Sequence, residues 1–257
     1  MTMISEAMTS TADWELRAPG VAEGLAVTVA TATHPGDQPV QADAVAVEHY
    51  ATAGTVAACV MDGKGTSAET ARKMPVCAES AVMLAARYGA LNGLATAGSM
   101  LTDTGQEFVD VDGVGALAVV RPGAPVVVVH VGRARGYAVD GDGGLVELTE
   151  DATHGQQLRI QGHSEEQARA YDRLQRVTLA RSSVGTIPAA ITDHPVVLLT
   201  TDGVHAVLGH DRMAALVQQH RHGGPAELAE QLLTAALENG RPGQRDNASV
   251  AVIAVTR

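Results

Sequence analysis

The chain has 257 residues, and its balance of 46% hydrophobic to 18% charged residues is that of one sizeable globular unit, which excludes a wholly disordered chain. A formal net charge of -11 with no basic stripe, Arg72 and Lys73 being the sole adjacent basic pair, argues against nucleic acid or an anionic membrane surface as partner. Two cysteines, Cys59 and Cys77, both in apolar surroundings, exclude a disulfide framework, and aromatics at 2% leave the core to be built from Ala, Val and Leu.

Residues 1–23 show no sustained period and carry Ser5, Thr9, Ser10, Thr11, Pro19 and Gly20, which predicts a loosely ordered arm. The early acids Asp13, Glu15 and Glu23 and the absence of a long apolar run are unlike a secretory signal or a membrane span, so the expected location is the cytoplasm. From Gly24 to the end, residues 24–257 read as a single domain. Segments 25–33, 43–49 and 55–61 are rich in Val, Ala and Thr between turn formers, and predict three opening strands.

Residues 66–88 change to helical spacing with Ala68, Ala71, Ala78, Ala81, Val82 and Ala85, and Pro75 predicts a kink or restart. A second helix is expected over 91–101. Strand patterning returns in 114–120, 125–131, 136–139 and 145–148, and the turns between them suggest an antiparallel meander. Residues 149–186 are polar, with a helix possible in 165–176 and the rest a long loop or flap. Beyond them, 196–201 predicts a buried strand, 211–219 and 226–239 helices, and 248–255 a closing strand. Strands, paired helices, strands, paired helices and a last strand predict an α+β fold: a four-layer α/β/β/α sandwich of two mainly antiparallel sheets flanked by helices.

Two predicted strands end in an Asp-Gly pair, Asp62-Gly63 and Asp202-Gly203, a third acid, Asp246, stands just before the last strand, and Asp43 opens the second. One Asp-Gly pair is ordinarily a turn. Several aspartates at strand ends can instead converge at one sheet edge, where they repel unless protons or cations neutralise them. Hard oxygen donors with room for water favour Mg²⁺ or Mn²⁺, and the sequence has neither His-Glu-x-x-His nor Cys-x-x-Cys to recommend zinc.

In order and spacing these pieces resemble the PPM (type 2C) metal-dependent protein phosphatases of bacterial type, from Gly24 to Val255. Asp43 looks like the acid of the first motif, and Asp62-Gly63-Lys64-Gly65 resembles Asp-Gly-His-Gly. Residues 131–137, Val-Gly-Arg-Ala-Arg-Gly-Tyr, resemble Val-Gly-Asp-Ser-Arg-x-Tyr, and 148–151 the segment that follows. Thr201-Asp202-Gly203-Val204 and Asp246-Asn247-Ala248-Ser249-Val250 look like the two C-terminal metal motifs. The resemblance implies hydrolysis of phosphoserine and phosphothreonine in phosphoprotein substrates by water activated on two Mn²⁺ or Mg²⁺ ions. Asp62 would bridge the ions, the Gly63 carbonyl would bind one, Asp202 and Asp246 the other, and Asp43 would hold metal-bound water.

The departures from the family pattern concern charge. Gln38 stands nearest the place of the phosphate-gripping arginine, Ala42 replaces an acid or amide, Lys64 stands for the histidine that protonates the leaving oxygen, and Arg133 replaces the aspartate linked to a third metal. Lys64 can serve as acid or phosphate clamp, and Arg133 can supply the positive charge that Gln38 does not. Two functions follow from this mixture: a metal-dependent serine/threonine phosphatase with altered phosphate recognition, or a catalytically weak or inactive pseudophosphatase that acts as a binding module.

Overall fold

The computed structural model describes residues 8–16, 25–101 and 111–256. One sheet is ordered β1 (Met8–Leu16), β2 (Leu25–His34), β11 (Ala248–Thr256), β10 (Val196–Thr200), β7 (Arg135–Val139) and β8 (Leu145–Glu147). The other is ordered β3 (Ala44–Tyr50), β4 (Thr55–Gly63), β5 (Gly113–Val120), β6 (Val126–Val131) and β9 (Ala189–Thr192). Every pairing is antiparallel. Helices α1 (Ala68–Tyr88) and α2 (Ala90–Leu101) cover the second sheet, and α5 (Asp202–His220) and α6 (Gly224–Asn239) cover the first. The expected α+β sandwich of four layers is the one observed.

The layering follows from the period of two along each strand. In β4, Val56, Ala58 and Val60 enter the layer between the sheets, where they meet Val29, Val128, Leu199 and Ile253. Their alternates Ala57, Cys59 and Met61 turn to the helices and pack with Met74, Ala78, Ala81 and Leu94. On the other sheet Leu198, Val250 and Val252 meet Val204, Leu232 and Leu233 of α5 and α6. Because both faces of the central strands are buried, these segments read as continuous apolar runs rather than as half-polar alternations. Small side chains suit this arrangement, since each close-packed interface is filled from both sides. Cys59 and Cys77 are buried free thiols.

Several expectations need correction. Residues 8–16, assigned by composition to an unordered arm, form β1 and pair with β2 along its length, from Met8 opposite Thr33 to Leu16 opposite Leu25. The ladder hydrogen bonds, which composition does not reveal, order that strand; the remainder of the expected arm, 1–7 and 17–23, lies outside the described residues. Pro75 lies inside α1 and does not divide it; Ser67 caps the start by accepting from the Thr70 amide at 3.0 Å. The expected meander is split: β5 and β6 belong to one sheet, and β7 and β8 to the other. The chain crosses between the sheets at Gly132, whose φ of 74° permits the sharp turn, so Arg133 stands at the crossover.

Residues 149–186 contain two short helices, α3 (His154–Ile160) and α4 (Glu165–Arg169). Arg159 binds them together through ion pairs to Glu165 at 2.7 Å and Asp172 at 2.6 Å. The helix possible in 165–176 ends at Arg169, because the chain turns back to bridge Gln175 with Thr153. Finally, α5 breaks at Gly209, where φ is 71° and ψ 165°; the expected helix 211–219 is the part after the break, and the part from Asp202 is an addition to it.

Candidate metal centre

Antiparallel pairing is what gathers the acids. When neighbouring strands run in opposite directions, the end of one lies beside the start of the other. Ala44 of β3 faces Met61 of β4, so Asp43 and Asp62 emerge at one edge of their sheet. Thr200 of β10 faces Val250 of β11, so Asp202 and Asp246 emerge at one edge of the other. Stacking the sheets brings the two pairs together. Asp62, Gly63, Asp202 and Asp246 line one cavity of about 330 Å³, with Gln38, Lys64, Arg133 and Arg173 also in its wall.

Cross-sheet hydrogen bonds hold the edges in register. The Thr201 hydroxyl donates to Asp43 Oδ2 at 2.8 Å and accepts from the Ser249 amide at 2.9 Å. Thr201 is also the residue before α5, but its hydroxyl is committed to Asp43 and does not cap the helix. Asn247, only 6% exposed, accepts from the Ala42 amide at 2.7 Å through Oδ1. Its Nδ2 donates to the carbonyls of Pro35 at 2.8 Å and Val40 at 3.1 Å. Gly63 donates its amide to the Ala42 carbonyl at 3.2 Å, and Lys64 donates its own to that of Asp112 at 2.8 Å.

Close packing extends to the glycine after Asp202. A Cβ on Gly203 would lie 1.9 Å from the Asn247 carbonyl oxygen. Gly203→Ala is therefore expected to cost about 2 to 3 kcal/mol by forcing α5 away from β11. Urea unfolding measures it, and a midpoint equal to that of the parent protein would contradict this packing.

The electrostatics of the cluster are unfavourable by themselves. Burial, then the negative charges of Asp202, Asp43 and Asp246, hold the Asp62 carboxyl well above the usual carboxylate range, with Arg133 acting the other way. Burial pushes Asp43 up to about 7 despite the hydrogen bonds from Thr201 and Ser249, and the charges of Asp202 and Asp246 add to the rise. Asp202 is raised mainly by burial; the Arg133 guanidinium, with Nη1 3.2 Å from Asp202 Oδ2, opposes that rise. Such a set of hard oxygen donors, short of positive charge, fits a hard divalent cation. Among the described residues, no three His, Cys, Asp or Glu side chains are drawn into a finished metal cage. The charge repulsion argues for the fit, and the Arg133–Asp202 pair keeps one donor occupied.

The sign of the pH effect in metal-free protein follows from Asp43. A folded pKa near 7 against an ordinary 3.8 means that the native state holds the proton more tightly than the unfolded chain does. The resulting stabilisation is complete below the ordinary value and disappears as pH rises through about 7. With a chelator present, the melting temperature is expected to fall between about pH 4 and pH 7 as far as this acid governs it, and Mn²⁺ is expected to offset the fall. A rise across that interval would contradict the burial of Asp43.

The sequence-derived site residues are thus gathered with one exception. Asp43 is 4% exposed and stands behind the cavity wall, bonded to Thr201. Gln38 reaches the wall, but its Nε2 donates to the Arg245 carbonyl at 3.3 Å. Arg135 grips Asp151 through two bonds of 2.7 and 2.8 Å, joining the two motif segments 131–137 and 148–151. Sequence reading missed the structural parts of Thr201 and Asn247 and the presence of Arg173. The two former sit inside the quoted motifs, while Arg173 has no sequence signal.

No family model matches the sequence, and no curated protein matches it. Solved structures do. A bacterial serine phosphatase superposes with a TM-score of 0.72 at 16% identity, covering 88% of this chain and 96% of the other. The chain has the PPM phosphatase fold. The PPM Ser-Thr phosphatase MsPP from Mycobacterium smegmatis, in complex with cacodylate, matches with a TM-score of 0.68 at 23% identity, covering 88% and 97%. The catalytic domain of the serine threonine protein phosphatase PstP, in complex with two manganese ions, matches with a TM-score of 0.64 at 18% identity, covering 98% and 100%. Within the PPM fold, the acid cavity of this chain lies where β4, β10 and the start of β11 meet.

Proposed function

We propose that the chain is a metal-dependent serine/threonine protein phosphatase. The observation that carries this reading is the convergence of Asp62, Asp202 and Asp246 on one cavity, with the repulsion that raises Asp62 and Asp202. Asp62 and the Gly63 carbonyl, with Asp202 and Asp246, would hold two Mn²⁺ or Mg²⁺ ions. Bound there, the ions would supply an activated water and charge neutralisation at the phosphoryl oxygens. Asp43, fixed by Thr201, would act from behind as a positioning residue for that water.

Lys64 and Arg173 are exposed cations of the same wall, and no described carboxylate is paired with either. They take the phosphate-holding task that the amide of Gln38 performs poorly, and Lys64 also stands where a proton can be given to the leaving oxygen. Phosphoserine or phosphothreonine in a protein is the substrate; nucleic acid and membrane play no part, and the location is cytoplasmic. No helix among the described residues is long and apolar enough to cross a membrane.

A second reading, a weak or inactive pseudophosphatase, is favoured by the Arg133 contact with Asp202. Hydrolysis of p-nitrophenyl phosphate and a phosphothreonine peptide with Mn²⁺, Mg²⁺ or chelator separates the two. Turnover that requires metal supports the phosphatase, and none under any condition supports the binding module.

A further inference from the structure

Among the cations around the cavity, Arg133 is in a different situation from Lys64 and Arg173. It projects from the crossover after β6, where the chain leaves one sheet for the other, and its Nη1 lies 3.2 Å from Asp202 Oδ2. The two side chains are 18% and 22% exposed, so the contact is made mostly out of water, where an ion pair is screened less than at the surface. Its backbone is fixed on both sides by Gly132, whose carbonyl accepts from the Ala152 amide at 2.9 Å, and by the fully buried Ala134. A guanidinium held in this way gives one of four crowded acids the positive charge that it lacks.

We propose that Arg133 is a built-in counter-cation that occupies Asp202 in the metal-free protein and is displaced when a divalent ion binds. The inference rests on the metal site of the proposed function and adds to it a competition between a side chain and the metal. A single Asp202 oxygen cannot give its full charge to both, so each weakens the hold of the other by the same factor. The arrangement has two consequences. The metal-free fold is relieved of part of the repulsion among Asp43, Asp62, Asp202 and Asp246, and metal uptake frees a planar five-donor group, tethered in the wall of the cavity, to face a phosphoryl oxyanion.

Calorimetric titration of chelator-treated protein with Mn²⁺ tests the competition directly. Arg133→Ala is expected to bind Mn²⁺ about tenfold more tightly than the parent, with Arg133→Gln behaving alike should the alanine variant fold poorly, and Arg133→Lys between them. In the absence of metal, Arg133→Ala should melt below the parent, so the rise in melting temperature on adding Mn²⁺ should be larger. Arg173→Ala serves as the control, because it removes a guanidinium from the same wall that touches no described carboxylate. Its Mn²⁺ affinity should stay close to the parent's if contact, and not merely nearby charge, is what matters.

Unchanged or weaker affinity in both Arg133→Ala and Arg133→Gln overturns the proposal, and so does an equal gain in Arg173→Ala. If the gain is confined to Arg133 but neither the parent nor any variant hydrolyses p-nitrophenyl phosphate, the competition stands and the phosphatase reading falls. If neither parent nor variants bind Mn²⁺, both fall.

Discussion

Asp62→Asn is expected to reduce Mn²⁺-dependent phosphatase activity by on the order of a thousandfold, about 4 kcal/mol of transition-state stabilisation, and to make the metal-free protein more stable than the parent. The two effects have one origin. Asp62 is the acid on which the charges of Asp202, Asp43 and Asp246 all act, so its carboxylate is the one held most unfavourably when metal is absent. An amide of nearly the same shape removes that repulsion and lacks the charge that an anionic ligand would give a cation. Thermal melting with chelator should therefore show a higher midpoint for the variant, and adding Mn²⁺ should raise the parent's midpoint far more than the variant's. Activity close to the parent's would remove Asp62 from the metal site. Lost activity with a lowered metal-free midpoint would make its role structural.

Asn247→Ala should destabilise the protein by roughly 3 kcal/mol, although the side chain is small and is not among the proposed metal ligands. Its amide completes three bonds in a place that water does not reach well: acceptance from Ala42, and donation to Pro35 and Val40. Truncation leaves a buried N–H and two carbonyls without this partner, and each such group costs more than an ordinary hydrogen bond contributes. The segment thus released carries Gln38 and leads into Asp43, so Mn²⁺ affinity should fall as well. Urea unfolding with an unchanged slope and a lower midpoint would match the expectation. A loss under about 1 kcal/mol, with metal affinity intact, would show that residues 35–42 hold their position without Asn247.

These residues also show where sequence reading succeeds and where it stops. The strands β2, β4, β5, β10 and β11 are legible because burial on both faces leaves dense runs of Val, Ala and Leu, and no turn chemistry competes within them. The second sheet's β9 is not, since its four residues, Ala189–Thr192, are too few and too exposed to carry a pattern. For β1 the order comes from its antiparallel pairing with the next strand, β2, a ladder that the polar composition of β1 does not reveal. The start of α5 was hidden for another reason: Asp202-Gly203 reads as a turn, and only the contact of Gly203 with β11 shows why a glycine is needed inside a helix.

The four acids were likewise legible as strand-end residues, and their type is what suggests a cation-binding chemistry. Their meeting is a property of antiparallel pairing within two stacked sheets, which places residues as distant in sequence as Asp43 and Asp246 in one electrostatic field. By itself, the sequence determined which acids stand at strand ends, the layered α+β architecture and the neutral side chain at Gln38, because these depend on residue type and on short periods along the chain. Only the tertiary structure decided that Asp43 lies behind the wall, that Arg133 rests on Asp202 and that Arg173 enters the cavity. Each of those depends on the direction taken by a side chain at a crossover or turn, and such directions are set by packing between segments far apart in sequence.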